Sequence, residues 1–495
     1  MVIVLSGSVN DYKNIKLSGN IDNDIAIFKS IFSRDAVLRT REVLIGGVTR
    51  SFIIFMDGMV NSIGQGETVV EALVETVLPQ EEFISCKYIA QNILFANEVN
   101  ETEKFPDMLR AILYGDTVLI AQDNKTALTI NTKGWRTRGI KEPDSERVLQ
   151  GPREGFDEAA MFNLAMIRRK LLTPDLCIEF MRIGRRSDTP VFICYLGTIV
   201  NPNTLKELKR RLKKIDIDGI LDSNYIAENI RDHKRSILKT TGATERPDIV
   251  AARLLEGRIA LVVDGTPVVL TLPYLFSENF QSDEDYYINF IMASLSRILR
   301  WFCFFVTISV PGVFVALVTH HFQLLPTHFA LTVARLRSGV PIASVVECLA
   351  LILAFEILKE AGLRMPQNLG HALSVVGGLV VGQAAVEAGI ISAPMLIAVS
   401  FSAIAGLMVP RLMGAVFYWR IFIVIACAVF GLFGYFVLAS VFAIRVFSMN
   451  SFGVDYTISF SSPNFQTLKD SFVRTSWRQM KTRPIFNRNR TRKDN

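Results

Sequence analysis

The sequence has few cysteines for its length, six in 495 residues, and their spacing argues against two common architectures. No two of them form a CxxC pair, and three fall in strongly apolar segments. Neither a disulfide framework nor a zinc site fits such a pattern, so we expect no bound metal. The six are Cys86, Cys177, Cys194, Cys303, Cys348 and Cys427.

Sequence motifs of catalysis are missing as well. The chain holds no phosphate-binding P-loop, no dinucleotide-binding glycine fingerprint, no HExxH and no GxSxG. The run Asp216–Asp222 superficially resembles a calcium loop, but it lacks the third ligand before its glycine and the distant bidentate glutamate of an EF-hand. We therefore expect neither an enzyme nor a cofactor.

Charge and hydropathy divide the chain into an aqueous part and an apolar part. Half of the residues are hydrophobic and the mean hydropathy is +0.31, a mixture typical of neither a soluble protein nor a chain made of spans. Residues 298–449 are mostly apolar and predict a transmembrane helical domain. Met1–Leu5 is too short for a secretory signal, so we expect the part before residue 298 to stay in the cytosol.

The residues after 449 carry much of the net charge of +7 and predict a basic cytosolic tail, 450–495. Basic side chains strongly outnumber acidic ones beyond Phe465. Such a segment suits the anionic inner leaflet of a membrane, and we expect lipid rather than nucleic acid as its partner.

The cytosolic part contains an internal duplication. Phe52–Asn61 aligns with Phe192–Asn201, and Ile112–Ala121 aligns with Leu254–Val263 at nearly the same offset. In each copy the first of these segments is predicted to be a buried strand, and a helical pattern follows it. This alternation favours α/β layers. Two copies of one α/β unit are the simplest explanation.

The predicted boundaries follow from composition. The first α/β subdomain covers 1–140, a linker rich in charge, proline and glycine covers 141–156, and the second subdomain covers 157–297. The helix predicted over Asn203–Lys214 is basic on one side. That side is either a solvated face or an interface with lipid or a partner.

The apolar domain is predicted to contain about four full spans and one interfacial or re-entrant helix. The spans are expected at Trp301–Thr319, Leu369–Ile390, Pro394–Pro410 and Ile421–Ile444. Val340–Lys359 carries Glu347 and Glu356, whose insertion would be costly, so we expect this segment to be the interfacial or re-entrant helix. A cytosolic front domain and a basic cytosolic tail require an even number of crossings, which four satisfies.

One predicted span carries two stripes of special composition. Small residues at helical spacing allow close packing of another helix, and they are Ser374, Gly378, Gly382, Ala385 and Gly389. Gln383 and Glu387, one turn apart, form a polar stripe beside them. A carboxylate in a membrane segment indicates either a cation path lined by several subunits or a satisfied hydrogen bond to a neighbouring helix.

The segment Gln367–Met395 closely resembles the A subunit of the GerA family of spore germination proteins. The similarity extends over about residues 20–460. Further matched motifs include Thr173–Leu176, Ile183–Arg186, Ile215–Ser223, Thr244–Asp248, Leu255–Arg258, Val263–Pro267, Asp283–Tyr287 and Ser451–Asp455.

The resemblance implies an A subunit of a nutrient germinant receptor in the spore inner membrane. It further implies a homo-oligomer that works with B-type and C-type receptor subunits and forms a gated ion channel, whose opening releases ions and starts germination. Both ends of the chain would then face the cytosol, here the spore core. Two alternatives stay open: a SpoVAF-type accessory channel that amplifies ion release, and a membrane scaffold or signal transducer without a pore.

Overall fold

The computed structural model describes residues 8–78, 84–134, 143, 146, 148, 150–364, 382–461, 470–480 and 482–483. Two five-stranded antiparallel sheets make up its first part. Copy one contains β1 (Leu38–Ile45), β2 (Thr49–Met56), β3 (Val99–Thr102), β4 (Thr117–Ala121) and β5 (Ala127–Ile130). Copy two contains β6 (Leu176–Ile183), β7 (Thr189–Leu196), β8 (Gly242–Thr244), β9 (Ile259–Val263) and β10 (Val269–Leu272).

The strand orders are equivalent, β1-β2-β4-β5-β3 in copy one and β6-β7-β9-β10-β8 in copy two. The aligned segments lie on corresponding central strands, β2 with β7 and β4 with β9. Apolar residues of these strands are buried on both faces, since helices cover both sides of each sheet. This arrangement agrees with the duplication that the sequence predicts.

The helices that cover the sheets also correspond. Copy one carries α1 (Ile21–Ile31), α2 (Ser62–Gln65, the π-helical Gly66–Glu71 and Ala72–Glu75), α3 (Cys86–Tyr88 and the π-helical Ile89–Ile93) and α4 (Phe105–Tyr114). Copy two carries α5 (Ala160–Lys170), α6 (Pro202–Leu212), α7 (Ser223–Ile230) and α8 (Pro247–Leu255). Asn201 caps α6 by accepting from the Asn203 amide, and Pro202 opens the helix where no amide donor is needed.

A buried ion pair joins the two copies. Arg168 of α5 binds Asp35 of copy one, and both side chains are almost completely enclosed. Beside them the Ala36 amide donates to the Ile178 carbonyl, and the Ile178 amide donates to the Arg34 carbonyl. Copy one therefore continues the edge of the sheet of copy two at β6.

The apolar part is a bundle of helices: α9 (Phe290–Thr319), α10 (Thr327–Arg337), α11 (Ser344–Arg364), α12 (Ala393–Gly406) and α13 (Met413–Phe447). Residues 382–387 form a further helical turn and a half before α12. Among the described residues, two helices are long and apolar enough to cross a membrane, Phe290–Thr319 and the stretch Pro410–Phe447. They contain the spans predicted at Trp301–Thr319 and Ile421–Ile444.

Helix α13 is folded into a hairpin at Gly431, whose φ of 61° and ψ of −145° are not helical. A straight helix of 35 residues would be about 52 Å long, well beyond a hydrocarbon core of about 30 Å. Instead, the rings of Trp419 and Phe442 lie 5.1 Å apart although 23 residues separate them in the chain. The expected span at 421–444 is therefore divided into two antiparallel helices, each about 25 Å long.

Helix α11, in the part of the chain where an interfacial or re-entrant helix is expected, packs against the other helices of the bundle. Its buried Cys348, Leu351 and Ile352 contact apolar side chains of α9, α12 and α13. The expectation relied on the cost of Glu347, but this carboxylate is 1% exposed and accepts from the Ser392 amide and hydroxyl, both at 2.5 Å. These bonds satisfy Oε1, and Arg337 Nη2 lies 3.9 Å from Oε2, so burying this carboxylate costs far less than burying an unpartnered one.

The chain returns to copy two after the bundle. A two-stranded hairpin, β11 (Asn450–Ser451) with β12 (Val454–Asp455), places Phe452 in the core of copy two at 2% exposure. The Phe452 amide donates to Asp232, and the Ser451 hydroxyl donates to the Thr240 carbonyl. Both ends of the helical domain thus lie on the same side of it.

Candidate functional site

The predicted polar stripe lies on the surface of the single chain. Gln383 Nε2 donates to Glu387 Oε1 over 3.0 Å, and both side chains are exposed. Each therefore has hydrogen-bonding capacity left for water or for a neighbouring subunit. Within the described residues, the structure brings these two together and adds no further ionisable group to them.

The small-residue stripe is described in part. Ser374 and Gly378 lie outside the described residues. A Cβ at Gly382 would lie 3.4 Å from Leu396 of α12, so this glycine packs within the chain. Gly389 adopts a φ of +66° beyond the helical turns of 382–387, where its lack of a side chain permits the turn toward α12. Of the stripe, Gly382 and Gly389 thus contribute to packing and turning inside one chain.

Arg420 is a buried cation of the helical domain that sequence reasoning missed. It is 5% exposed, and its Nε has no hydrogen-bond partner among the described atoms. Its guanidinium lies 6.0 Å from the Phe417 ring centroid. Its position in an otherwise apolar run could have identified it from the sequence, because ionisable residues within such segments usually mark function or a specific partner.

The histidines flank the hairpin of α13. His320 Nε2 lies 2.8 Å from the Ala428 carbonyl oxygen, and a Cβ at Gly431 would lie 2.6 Å from His321 Nε2. They pack the end of α9 against the hairpin turn. Across the described ranges, His, Cys, Asp and Glu side chains form no group of three suited to a metal ion.

A buried charge cluster joins copy two to the first turns of α9, and we call it the neck. Arg297 Nε donates to Asp285 Oδ2 at 2.8 Å, and its Nη1 donates to Asp470 Oδ1 at 2.6 Å. Arg300 donates to both oxygens of Asp285, at 2.9 and 3.0 Å. Arg297 and Asp285 are fully buried, so each depends on the other for its charge compensation.

The predicted tail takes part in this cluster. Besides Asp470, Arg474 donates to the Ile288 carbonyl at 2.7 Å, and its guanidinium lies 5.6 Å from the Tyr286 ring centroid. Phe472 packs on Trp301 with ring centroids 4.8 Å apart. Residues 470–480 are therefore part of the folded junction, a role that the basic composition of the tail did not predict.

A second cluster surrounds Arg411, which lies in the short turn Pro410–Leu412 between α12 and α13. Its Nη1 donates to the Glu278 carbonyl at 3.3 Å, and its Nη2 donates to Glu146 Oε1 at 3.1 Å. Asp283 Oδ2 lies 3.7 Å from the same nitrogen. Burial raises the pKa of Asp283 to about 6, although the Arg411 charge opposes that shift.

Motifs that carry the family resemblance converge on these clusters. Arg246 and Asp248 form an ion pair at 2.7 Å, and the Tyr287 hydroxyl donates to the same carboxylate. Arg258 pairs with the buried Glu278. These residues come from separate motifs, Thr244–Asp248, Leu255–Arg258 and Asp283–Tyr287, so the motifs describe one junction between copy two and the helical domain.

Three basic side chains of α6 form ion pairs within the chain. Lys209 pairs with Glu179 at 2.5 Å, Arg210 pairs with Glu207 at 2.6 Å, and Arg211 pairs with Asp232 at 2.5 Å. The two arginines hold the pKa of Glu207 at about 2. This pairing favours the solvated-face interpretation over a lipid interface.

These features define a class of protein, a membrane protein in which a duplicated α/β module is fixed by a charged neck to a bundle of apolar helices. The chain matches the model of the Bacillus/Clostridium GerA spore germination protein over residues 26–486. It therefore belongs to the GerA family, which confirms the resemblance seen in the sequence. The match extends beyond residue 460 and includes the tail residues that bind the neck.

Two relatives resemble the chain over most of its length. It is 37% identical to Spore germination protein KA of Bacillus subtilis, covering 95% of this chain and 87% of that protein. It is 34% identical to Spore germination protein GerLA of Bacillus cereus, covering 96% of this chain and 97% of that protein.

A solved structure also matches. It is the crystal structure of the N-terminal domain of the A subunit of the Bacillus megaterium spore germinant receptor GerK3, at 29% identity and a TM-score of 0.39. The match covers 53% of this chain and 98% of that one.

Proposed function

We propose that the chain is the A subunit of a nutrient germinant receptor in the spore inner membrane, where copies of it assemble into a gated ion channel. Opening of the channel releases ions and starts germination. Membership of the family supports the receptor role. The observation that supports the channel is the polar pair Gln383 and Glu387, which is exposed on the helical domain of a single chain.

An exposed carboxylate at membrane depth requires water or a partner, because transfer of its charge into hydrocarbon is costly. Several copies arranged around an axis would provide both, since a ring of carboxylates attracts cations and keeps the axis hydrated. Gln383 contributes an amide one helical turn away, on the same side of the segment.

Topology supports a cytosolic position for both ends. The α/β module contacts the chain that follows the bundle through Phe452, Asp470 and Arg474. The number of crossings is then even, as the basic composition of the tail leads us to expect. B-type and C-type subunits would supply nutrient recognition, and anionic lipids would contact the basic residues beyond the neck.

The test is the ion selectivity of the assembled protein in liposomes. We expect Glu387→Gln to reduce cation over anion selectivity about tenfold, because a ring of charge is lost while the side-chain shape is kept. Glu360→Gln is a matched control, a carboxylate of α11 on a different helix. Unchanged selectivity and conductance in Glu387→Gln would contradict the pore assignment.

A scaffold without a pore is the second candidate, favoured by the packing of Gly382 on Leu396 inside one chain. Cysteines placed at 376, 380, 383 and 387 distinguish the two. Labelling of 383 and 387 by a water-soluble thiol reagent in the assembled protein supports a pore, whereas protection of all four supports the scaffold.

A further inference from the structure

An exposed apolar stripe follows the first turns of α9 and begins before the span predicted at Trp301–Thr319. Its members recur every three or four positions, which places them on one face of the helix. They are between 49% and 63% exposed: Ile291, Leu295, Ile298, Phe302 and Phe305. The stripe therefore extends without interruption from the level of the neck into the membrane span.

The opposite face of the same turns is enclosed by the neck. Ala293 and Arg297 are completely buried there, and Trp301 is 8% exposed. One side of this helix is thus fixed on folded protein, while the other is apolar and uncovered within the described chain. Soluble surfaces rarely keep so continuous an apolar face in water, so this face requires an apolar partner.

The tail widens this surface. The Arg474 amide donates to the Ser294 hydroxyl at 3.1 Å, which holds the tail alongside α9. Next to this contact, Phe472 and Val473 are exposed to 40% and 45%, and Trp477 is exposed to 58%. The Arg474 guanidinium lies 5.5 Å from the Trp477 ring centroid and links this ring to the same site. We call the stripe and the three exposed tail residues the platform.

The length of α9 favours lipid as the partner of the platform. From Ile291 to Thr319 the helix is about 43 Å long at 1.5 Å per residue, which matches a bilayer with its headgroups at about 40–45 Å and exceeds the hydrocarbon core of about 30 Å. The apolar turns before Trp301 then lie at headgroup depth. An exposed tryptophan beside apolar side chains is typical of that boundary, because the indole of Trp477 combines an apolar ring with a polar N–H.

We propose that the platform binds phospholipid at the membrane surface on the side of the α/β module, and that residues 470–480 anchor the chain there. Membrane contact then begins at Ile291 rather than at Trp301, where the predicted span starts. The neck lies at the same depth behind the platform, so lipid contact and buried ion pairs hold the same turns of α9. The proposal requires α9 to cross the membrane, but it is independent of a pore.

Spin labels on the full chain in nanodiscs of phosphatidylglycerol and phosphatidylethanolamine test the platform. Leu295→Cys and Val473→Cys place the label on α9 and on the tail, and both side chains are exposed, so neither change disturbs a core. We expect oxygen, which concentrates in lipid, to relax both labels about threefold more than a water-soluble nickel chelate does. The unsubstituted protein gives the background from Cys303, which is partly exposed.

Phe95→Cys is the matched control, because this side chain of copy one is 73% exposed. We expect its label to respond more to the nickel chelate than to oxygen. The same response at residues 295 and 473 would overturn the proposal. Low relaxation by both reagents, together with spin–spin broadening between labels, would also overturn it, since a second copy of the chain would then cover the platform.

Tryptophan quenching tests the tail separately and needs no cysteine. Phospholipids brominated in the upper or the lower part of the acyl chain quench nearby indoles, and the difference between the wild type and Trp477→Phe isolates Trp477. We expect the upper bromines to quench this difference signal about twofold more strongly than the lower ones, as for a residue at the interface. No quenching by either lipid would place Trp477 in water and overturn the anchor.

Discussion

The two copies of the α/β unit share a strand order but have different surroundings. Copy two is enclosed by other parts of the chain: Phe452 inserts into its core, the neck binds its last turns, and Arg411 reaches its charged edge. In copy one, Ile63 of α2, the helix corresponding to α6, is 74% exposed, and Val77 just beyond the end of α2 is 92% exposed. Duplication thus produced one copy that anchors the membrane domain and one in which apolar side chains of the described residues stay exposed.

The difference shows how one fold serves two purposes. The central strands of both copies are equally buried, so each sheet is stabilised by its own core. What distinguishes copy two is the set of buried charges at its edge, which fix it to the helices in one geometry. Copy one touches the rest of the chain mainly through copy two, beside the Arg168–Asp35 pair.

The prediction with the largest expected effect concerns the neck, which only copy two contacts among the described residues. Asp285→Ala would leave Arg297 and Arg300 facing each other in a buried site, and we expect a loss of about 4 kcal/mol in unfolding free energy. Asp57 of copy one pairs with Arg39 at the surface, so Asp57→Ala should cost under about 1 kcal/mol. Denaturant unfolding in detergent measures both, and equal losses would contradict the asymmetry.

The hairpin after α13 provides the second test. Phe452→Ala would remove a ring from the core of copy two, where Arg211 also stacks on it at 4.6 Å, and should cost about 3 kcal/mol. Limited proteolysis should then cleave the chain near residue 450. Phe95→Ala in copy one is the control, since that ring is 73% exposed and its removal should change little. Protection of the hairpin in Phe452→Ala would show that other contacts hold it.

The smallest expected effect concerns pH at the edge of copy two. The pKa of Asp283 is raised to about 6 from 3.8, so the folded state binds a proton that the unfolded state has released. Its contribution to stability is therefore fully present below about pH 4 and is lost as the pH rises from about 4 to about 6. The unfolding free energy of Asp283→Asn, subtracted from that of the wild type, isolates this dependence. A difference independent of pH between 4 and 7 would contradict it.

Sequence patterns predicted the class of fold because that class depends on local periodicity. The aligned strands, the helices that follow them and the apolar helical domain were all expected, and the family was identified from motifs that the comparison confirmed. Contacts between residues far apart in the chain could not be predicted from such patterns. Glu347 was interpreted as a charge that makes Val340–Lys359 a poor full span. Its hydrogen-bond partner Ser392 lies 45 residues away, so no local pattern predicts that contact.

The amino-acid sequence alone determined that two α/β copies precede an apolar helical domain, since burial periodicity and hydropathy are properties of neighbouring residues. Only the tertiary structure decided how these parts are joined. It folds α13 back at Gly431, inserts Phe452 into copy two and gathers Glu146, Asp283 and Arg411 at one point. Ion pairs between distant segments depend on three-dimensional proximity, and proximity arises from the packing of the whole chain.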